Sequence, residues 1–183
     1  MIDETVAGPN REWLVVWTEA RAEKKVATRL AECGLEPWLP TTRERHRWSD
    51  RWREVVLPLF PGYLFARVDA ANLSRLLRIP GVLTVVKDGR QPARLSNDFV
   101  LGLKRALDAT SVRATDLSEP VTFAPDDEVV VQTGPLAGLR GVIREVRGAR
   151  QLVVWVAAIG RGAVFTIDSA LVVQRPAWRL QPA

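Results

Sequence analysis

Cysteine and histidine are almost absent from this sequence. The single cysteine, Cys33, excludes an internal disulfide and favours a reducing, cytoplasmic location. The single histidine, His46, leaves too few ligands for a zinc site and no persuasive Ser-His-Asp or Cys-His catalytic set. Gly134, Gly138 and Gly141 do not form a phosphate-binding loop, because no Gly-Lys-Ser/Thr follows them. The sequence therefore predicts a protein that is not an enzyme and that holds no metal or cofactor.

Long apolar runs are also missing. No uninterrupted apolar stretch approaches the ~20 residues that a membrane helix needs. The first residues, MIDETVAGPNREW, are too acidic and polar for a secretory signal. A content of 47% hydrophobic and 26% charged residues is typical of a globular protein. We therefore expect a folded cytoplasmic protein that makes no contact with a membrane.

The positive charge is unevenly distributed along the chain. Residues 1–107 contain 18 Lys/Arg and 13 Asp/Glu, a net charge of +5, whereas residues 108–183 contain 8 of each. All of the excess positive charge thus lies in the first part. Such a charge favours contact with nucleic acid or with an acidic protein surface.

The first 107 residues alternate short strands with three helical segments. Residues 13–18, WLVVWT, are rich in β-branched and aromatic residues and predict a strand. An apolar stripe predicts the first helix, and Gly34 follows it as a C-cap glycine; the stripe consists of Ala22, Val26, Leu30 and Cys33. Asp69 and Ser96 are placed to cap two further helices. Strands that alternate with only three helices indicate an α+β fold.

The stretch LPLFPGYLF, residues 57–65, leads into a strand with two different faces. One face of strand 63–68 carries Leu64, Ala66 and Val68, and the other carries Tyr63, Phe65 and Arg67. The first set is suited to a core. The two aromatic rings beside an arginine are either buried under the helices of the same domain or are anchors in a protein interface.

Residues 43–53 combine arginines with tryptophans. This segment predicts a charged hairpin that turns near Ser49 and Asp50, and it contains Arg43, Arg45, Arg47, Arg51 and Arg53, with Trp48 and Trp52 among them. Aromatic side chains between arginines can stack on exposed bases. Alternatively, the two tryptophans form a cross-strand pair that stiffens the hairpin.

The composition changes after residue 107. Residues 108–125 are rich in Ala, Ser, Thr, Asp and Pro without a clear period, and they predict a flexible linker. Residues 126–175 contain short β-rich runs separated by glycines, which predicts a small β-barrel. Residues 176–183 form a tail.

Several segments occur in an order that is typical of one family. WLVVWTEARAEKKVATRL, LFPGYLF and IPGVLTVV resemble pieces of the NusG N-terminal domain. DDEVVVQTGPLAGLRGVIREV resembles the KOW motif, with Gly134, Pro135, Gly138 and Gly141 at its turns, and IGRGAVFTID resembles the segment that follows it. Their order and spacing make chance similarity unconvincing. The chain therefore resembles the NusG/RfaH family of transcription elongation and antitermination factors.

The resemblance implies two domains and a partner. It implies an N-terminal domain over 1–107, with an antiparallel sheet flanked by helices, and an SH3-like KOW barrel over 126–175. The N-terminal domain of the family binds RNA polymerase, at the clamp helices of the β′ subunit and at the gate loop of the β subunit. The residues of this chain that match the clamp-binding surface are Pro61, Gly62, Tyr63 and Phe65.

The family also implies nucleic-acid contacts and a partner for the barrel. The start of the first helix faces the non-template DNA strand, where Arg21 and Lys24 would contact phosphates unless they lie on a solvated helix face. We assign Arg47 and Arg51 to the same role. Ile159, Gly160 and Arg161 match the barrel surface that binds ribosomal protein S10 or the termination factor Rho.

One departure from the family pattern separates two functional readings. Housekeeping members usually carry an Ile-Phe pair before Gly-Arg, whereas this chain has Ala158 and Ile159 there. We therefore expect a specialised paralogue that acts as an antiterminator on selected operons. The general elongation factor is the alternative, and a KOW-type RNA-binding ribosomal protein is disfavoured because such proteins lack the LFPGYLF domain.

Overall fold

The computed structural model describes residues 11–49, 51–109, 114–117, 128–133, 136–146, 149–166 and 173–174. The chain divides into two compact units. Residues up to Pro40 and Phe60–Asn97 form the first, and Thr41–Leu59 with the residues from Asp98 onward form the second. In the part of the chain that is described, no helix has the length and apolarity needed to cross a membrane.

The strands and helices are numbered along the chain. The described strands are β1 (Glu12–Thr18), β2 (Glu36–Trp38), β3 (Thr41–Trp48), β4 (Arg51–Pro58), β5 (Tyr63–Val68), β6 (Val82–Val85), β7 (Lys87–Asp88), β8 (Gln91–Pro92), β9 (Arg94–Leu95), β10 (Ala114–Leu117), β11 (Glu128–Val131), β12 (Arg140–Val146), β13 (Ala149–Val156), β14 (Arg161–Thr166) and β15 (Val173–Gln174). The described α-helices are α1 (Glu23–Glu32), α2 (Leu73–Leu77) and α3 (Asn97–Asp108). Mixed helices and strands in this order confirm the α+β class.

The first unit is built on an antiparallel sheet of order β2-β5-β1-β6, with β9 also paired to β1. Opposite residues on neighbouring strands share a face, and Leu14 lies opposite Ala66. The buried cluster on this face packs against α1 and α2 and includes Leu14, Val16, Leu64, Ala66, Val68, Val26, Leu30 and Leu76. The core-facing side of strand 63–68 is therefore the one that the sequence predicts.

Helix α1 ends as the sequence predicts. Val26 and Leu30 are fully buried, while Ala22 and Cys33 pack partly against the same cluster. Gly34 has φ +74 and its N–H donates to the Ala31 carbonyl at 2.9 Å. Glycine adopts this left-handed conformation without the penalty of a Cβ, so Gly34, directly after the C-cap residue Cys33, is the glycine that the sequence predicts at the end of α1.

The second unit contains a six-stranded sheet of order β10-β14-β13-β12-β11-β15. All of its pairings are antiparallel. The prediction places no strand at β10, because its residues fall inside the expected linker. Backbone pairing with the edge of β14 nevertheless makes a strand there, since an open edge accepts almost any sequence. Closure of this sheet into an SH3-like barrel stays a prediction.

The sequence predicts Gly141 at a turn, and this is wrong. It lies within β12, and a Cβ at this position would come within 2.3 Å of the Val153 carbonyl oxygen. A glycine is therefore needed for the close approach of β12 to β13. Gly138, with φ +84, does lie in a turn, whereas Gly134 and Pro135 lie outside the described residues.

Helix α3 packs against the turn that precedes β12. A Cβ on Gly102 would lie 2.8 Å from Leu139 Cδ2, and Arg105 Nη2 donates to the Ala137 carbonyl at 3.2 Å. The predicted apolar side of α3 is only partly the buried one. Val100 and Leu103 are fully buried, but Phe99 and Leu107 are half-buried.

Candidate functional site

The Phe-Pro-Gly turn before β5 has a backbone that requires glycine. Gly62 has φ +86, and Tyr63 N–H donates to the Phe60 carbonyl at 3.0 Å. A residue with a Cβ would be strained at this φ. A Cβ there would also touch the indole ring of Trp17, at 3.9 Å. Pro61 is exposed at the same turn.

Hydrogen bonds from two elements fix this turn in place. Gly62 N–H donates to Glu23 Oε1 at 2.7 Å, so the first residue of α1 holds one side. The Gly62 carbonyl accepts from Thr18 N–H at 2.8 Å and from Thr18 Oγ1 at 3.2 Å, so the end of β1 holds the other. Glu23 and Thr18 are both buried. The sequence gives no sign of this contact and favours a solvated Glu23.

The two predicted aromatic anchors have different environments. Phe65 is 0% exposed, and its ring lies 5.6 Å from that of Trp38 and 6.0 Å from that of Phe60. The structure thus places Phe65 in the core, as the alternative reading held, because β2 and the segment before β5 cover it. Tyr63 is half-buried at the edge of the same face. Binding by either ring stays a prediction.

Trp17 is an accessible aromatic residue that our sequence reasoning missed. It is 46% exposed and lies directly opposite Tyr63 in the pairing of β1 with β5. The alternation of WLVVWT already contained the signal, because Trp13, Val15 and Trp17 share a face. We call the surface formed by Trp17, Pro61, Gly62 and Tyr63 the aromatic edge.

Arg21 and Lys24 lie at the start of α1, and both are exposed. The sequence predicts Arg21 on the first helix, but this is wrong: Arg21 lies in the turn before α1, with φ +62. The turn is closed by Ala22 N–H, which donates to the Glu19 carbonyl at 3.1 Å. A non-glycine residue in this conformation is uncommon and occurs often at functional sites. Phosphate contact by these two residues stays a prediction.

The charged hairpin is confirmed as strands β3 and β4. Trp48 lies opposite Arg51, and Arg47 lies opposite Trp52. Directly opposite residues share a face and successive residues alternate. Arg47 and Arg51 therefore lie on opposite faces of the hairpin and cannot form one continuous basic patch.

The predicted cross-strand tryptophan pair is wrong. Trp48 and Trp52 are 59% and 60% exposed, and the register places them on opposite faces. Each ring has an arginine instead of the other ring as its neighbour. Arg53 Cζ lies 5.7 Å from the centre of the Trp48 ring, which is a cation–π distance.

The predicted partner surface of the second unit lies at a single turn. A 3₁₀ turn, Ala157–Ile159, and Gly160 connect β13 to β14. Gly160 is exposed with φ +60, while Ile159 and Arg161 are half-buried. Within the described ranges, no three His, Cys, Asp or Glu side chains are grouped as a metal site.

Comparison with known proteins identifies the family. A family model for NusG, a transcription termination factor, matches residues 11–103, just over half of the chain. The transcription termination/antitermination protein NusG of Thermus thermophilus is 28% identical over 181 residues, which cover 89% of this chain and 98% of that protein. A solved structure of Thermotoga maritima NusG has TM-score 0.52 and 20% identity, over 86% of this chain and 93% of that chain, and supports the shared fold alone. The matched range includes the aromatic edge, the hairpin and α1, and the chain belongs to the NusG family of transcription factors.

Proposed function

We propose that this chain is a transcription elongation and antitermination factor that binds the clamp helices of RNA polymerase through the aromatic edge. Family membership and the name of the Thermus relative support a role in elongation. The polymerase contact is carried by one observation: buried Glu23 and Thr18 hold the Phe-Pro-Gly turn beside the exposed Trp17. Aromatic side chains on a fixed backbone lose little entropy on binding, as interface anchors require.

Phe65 has a supporting role in this proposal. Its ring lies on the same sheet face as Tyr63 and is fully buried there against Trp38 and Phe60, so it anchors the strand that carries Tyr63. A second polymerase contact, with the gate loop of the β subunit, is proposed from family membership. A factor of this kind acts by binding and is no enzyme, and it works in the cytoplasm with the polymerase.

Nucleic acid is the second proposed partner. Arg21 and Lys24 precede and begin α1 with exposed side chains, which suits contact with phosphates of the non-template strand. Arg47 and Arg51, exposed on opposite faces of the hairpin, are proposed as separate phosphate contacts. Removal of phosphate contacts should lower the salt dependence of recruitment to a paused complex without affecting binding to isolated clamp helices.

The polymerase contact is tested with alanine variants of the full chain. Trp17→Ala and Tyr63→Ala should each weaken binding to core RNA polymerase by about tenfold or more, as truncation of a central interface aromatic does. The thermal unfolding temperature should change little because both side chains are partly exposed. Leu101→Ala is the matched control, since Leu101 is an exposed apolar residue on α3. Unchanged polymerase binding in both aromatic variants would overturn the proposal.

A specialised paralogue is favoured over the general elongation factor by the turn at Ala157–Gly160. This turn carries Ala158 and Ile159 where housekeeping members have a phenylalanine, so it lacks the ring that would contact the ribosomal protein or Rho. We expect neither protein to bind the full chain in titration calorimetry. Ile159→Phe should give measurable binding if the missing ring is the cause. Tight binding by the unmodified chain would indicate the housekeeping alternative.

A further inference from the structure

The outer half of the hairpin, residues 45–54, is exposed on both faces. It belongs to a sheet of only two strands, β3 and β4. Every described residue of this half is exposed, whereas Thr41, Thr42, Leu57 and Pro58 at the base are half-buried. Large aromatic rings normally pack a core, so their exposure on a two-stranded ribbon indicates an interaction surface.

The two faces of this half carry the same chemistry. One face has Trp52 directly opposite Arg47, with Arg45 next to it on that face. The other face has Trp48 directly opposite Arg51, and Arg53 Cζ lies 5.7 Å from the Trp48 ring. Each face is therefore an exposed indole ring with guanidinium groups beside it.

Among the described residues of this half, arginines outnumber carboxylates on both faces: Arg51 and Arg53 lie on the Trp48 face, and Arg45 and Arg47 lie with Glu54 on the Trp52 face. Glu54 is paired with Arg43 at the base, at 3.1 Å between Oε1 and Nη1. Glu44 forms no ion pair with an arginine among the described residues, and its Oε2 lies 3.0 Å from His46 Nε2. Arg45 and Arg47 form no ion pair with any described residue. Cationic groups around an exposed aromatic ring favour a polyanion over a neutral or basic partner.

We propose that the outer half of the hairpin binds two unpaired nucleic-acid strands, one on each face, with one base stacked on Trp48 and another on Trp52. The proposal rests on the proposed nucleic-acid contact of the hairpin and is independent of polymerase binding. Indole rings stack on any base, and the neighbouring arginines contact the phosphates. Bases inside a duplex have both of their faces covered, so only unpaired bases offer a free ring. A ribbon with one platform on each side fits between two strands that have separated.

The test uses the full chain and three DNA probes: a fork with two oligothymidine arms, a blunt duplex of the same sequence, and a single oligothymidine strand. The unmodified chain should bind the fork more tightly than the blunt duplex. Trp48→Leu and Trp52→Leu should each weaken fork binding by about tenfold, and the double variant by about a hundredfold, because separate sites contribute additively. Binding to the blunt duplex should be unchanged in all three variants. Single oligothymidine should bind at two strands per chain, and at one in each single variant.

Further variants and measurements separate a loss of stacking from a loss of the hairpin fold. Leucine keeps apolar bulk in the hairpin, and Trp48→Phe and Trp52→Phe keep a ring and should retain most of the fork affinity. Val56→Thr changes an exposed residue at the hairpin base and should leave fork binding unchanged. In protein labelled with 5-fluorotryptophan, the fluorine signal missing in Trp48→Phe is that of Trp48, and the one missing in Trp52→Phe is that of Trp52. Both signals should shift when the fork is added to the unmodified chain. Hydrogen exchange of the hairpin amides verifies that each variant stays folded.

The outcomes distinguish this proposal from the proposed function. Fork affinity equal to blunt-duplex affinity, or equal losses on both probes in the leucine variants, would overturn the two-sided stacking site. If the leucine variants lose polymerase binding but keep their fork binding, the stacking site is also overturned, because the hairpin would then contact an acidic protein surface. Polymerase binding through the aromatic edge is tested separately, with the Trp17→Ala and Tyr63→Ala variants. Replacing the arms by oligouridine shows whether the stacked strand is DNA or RNA, and tighter binding of either supports the site.

Discussion

Glu23 is the residue on which the Phe-Pro-Gly turn depends most directly. It is 5% exposed and its carboxylate accepts the Gly62 N–H at 2.7 Å. Sequence reasoning could not find this contact, because 39 residues separate the two partners. An acidic residue in the first turn of a helix is also common on solvated helices, where it interacts with the helix dipole. The local pattern therefore fits both a structural and a solvated Glu23.

Substitution of Glu23 should affect both stability and binding. Glu23→Ala leaves the partly buried Gly62 N–H without its charged acceptor, which should lower the free energy of unfolding by about 1–3 kcal/mol. It should also weaken polymerase binding, because Pro61 and Tyr63 are no longer held in place. Glu23→Gln keeps an acceptor oxygen and should retain most of both properties. Denaturant unfolding and a polymerase titration measure the two effects, and full binding by Glu23→Ala would refute the positioning role.

Asp69 gives the structure a defined response to acid. Its side chain accepts from Asn72 N–H at 2.9 Å, and this backbone hydrogen bond, followed by the one from the Asn72 side chain, holds the pKa of Asp69 below its ordinary value of 3.8. A carboxylate whose pKa is lowered by folding stabilises the folded state above the unfolded pKa and loses that effect as the pH falls through the folded pKa.

The acid response of Asp69 can be isolated with Asp69→Asn, which keeps a capping oxygen but does not titrate. The stability advantage of the unmodified chain over this variant should be constant well above pH 3.8 and should shrink as the pH falls below it. Urea unfolding across this pH range measures the difference. An advantage that persists unchanged in acid would show that the cap does not depend on the charge.

At the scale of elements, the apolar periodicity and the capping residues predicted the helices and strands that depend on local sequence. The stripe of α1 with its glycine cap, the Asp69 cap before α2 and the strand of Tyr63 are all confirmed. The hairpin is confirmed too, but the predicted tryptophan pair is wrong, and the spacing of Trp48 and Trp52 in the sequence already explains why. Because Trp48 is paired with Arg51, Trp52 lies on the opposite face of the hairpin.

The features that the sequence missed depend on contacts between distant segments. Phe65 is buried because Trp38 and Phe60 cover it, and neither residue marks its own position in the fold. Strand β10 forms because β14 offers an edge, not because its own residues alternate. Such pairing is set by the three-dimensional arrangement, and composition alone predicts a linker there.

The contact of α3 with the turn before β12 depends on the absence of a side chain at Gly102. A leucine there would clash with Leu139, whose Cδ2 lies 2.8 Å from the Cβ position. We expect Gly102→Leu to displace the turn and to increase amide hydrogen exchange at residues 136–139. Leu101→Ile, one position earlier on an exposed site, is the control. Unchanged exchange in Gly102→Leu would mean that α3 does not hold the turn.

At the scale of the whole molecule, the compact units do not follow the order of the chain. Thr41–Leu59 and residues 98–107 of α3 group with the C-terminal sheet, although they lie within the predicted first domain. The domain bounds 1–107, 108–125 and 126–175 came from changes in composition, which mark where a linker is plausible. Composition carries no information about which segments touch, so the domain bounds stay a prediction.

The sheet of the second unit should be the permanent fold of its residues. In RfaH the corresponding domain can fold as a helical hairpin over the polymerase-binding face and then refold into a barrel. Such a switch requires two folds within a few kcal/mol of each other. Here Gly141 allows close approach to Val153, and a Cβ on Gly162 would lie 2.8 Å from the Trp155 ring, so both glycines are used by the sheet.

The same glycines make a helical state costly. Each glycine inside a helix costs about 1 kcal/mol relative to alanine, and the β-branched runs of β12, β13 and β14 favour strands further. We therefore expect strand-type backbone chemical shifts for residues 140–146, 149–156 and 161–166 in the free full-length chain, and a circular dichroism spectrum without extra helix. The aromatic edge would then need no refolding step before it binds polymerase. Helical shifts in these ranges would contradict the prediction and would make the chain a switch of the RfaH type.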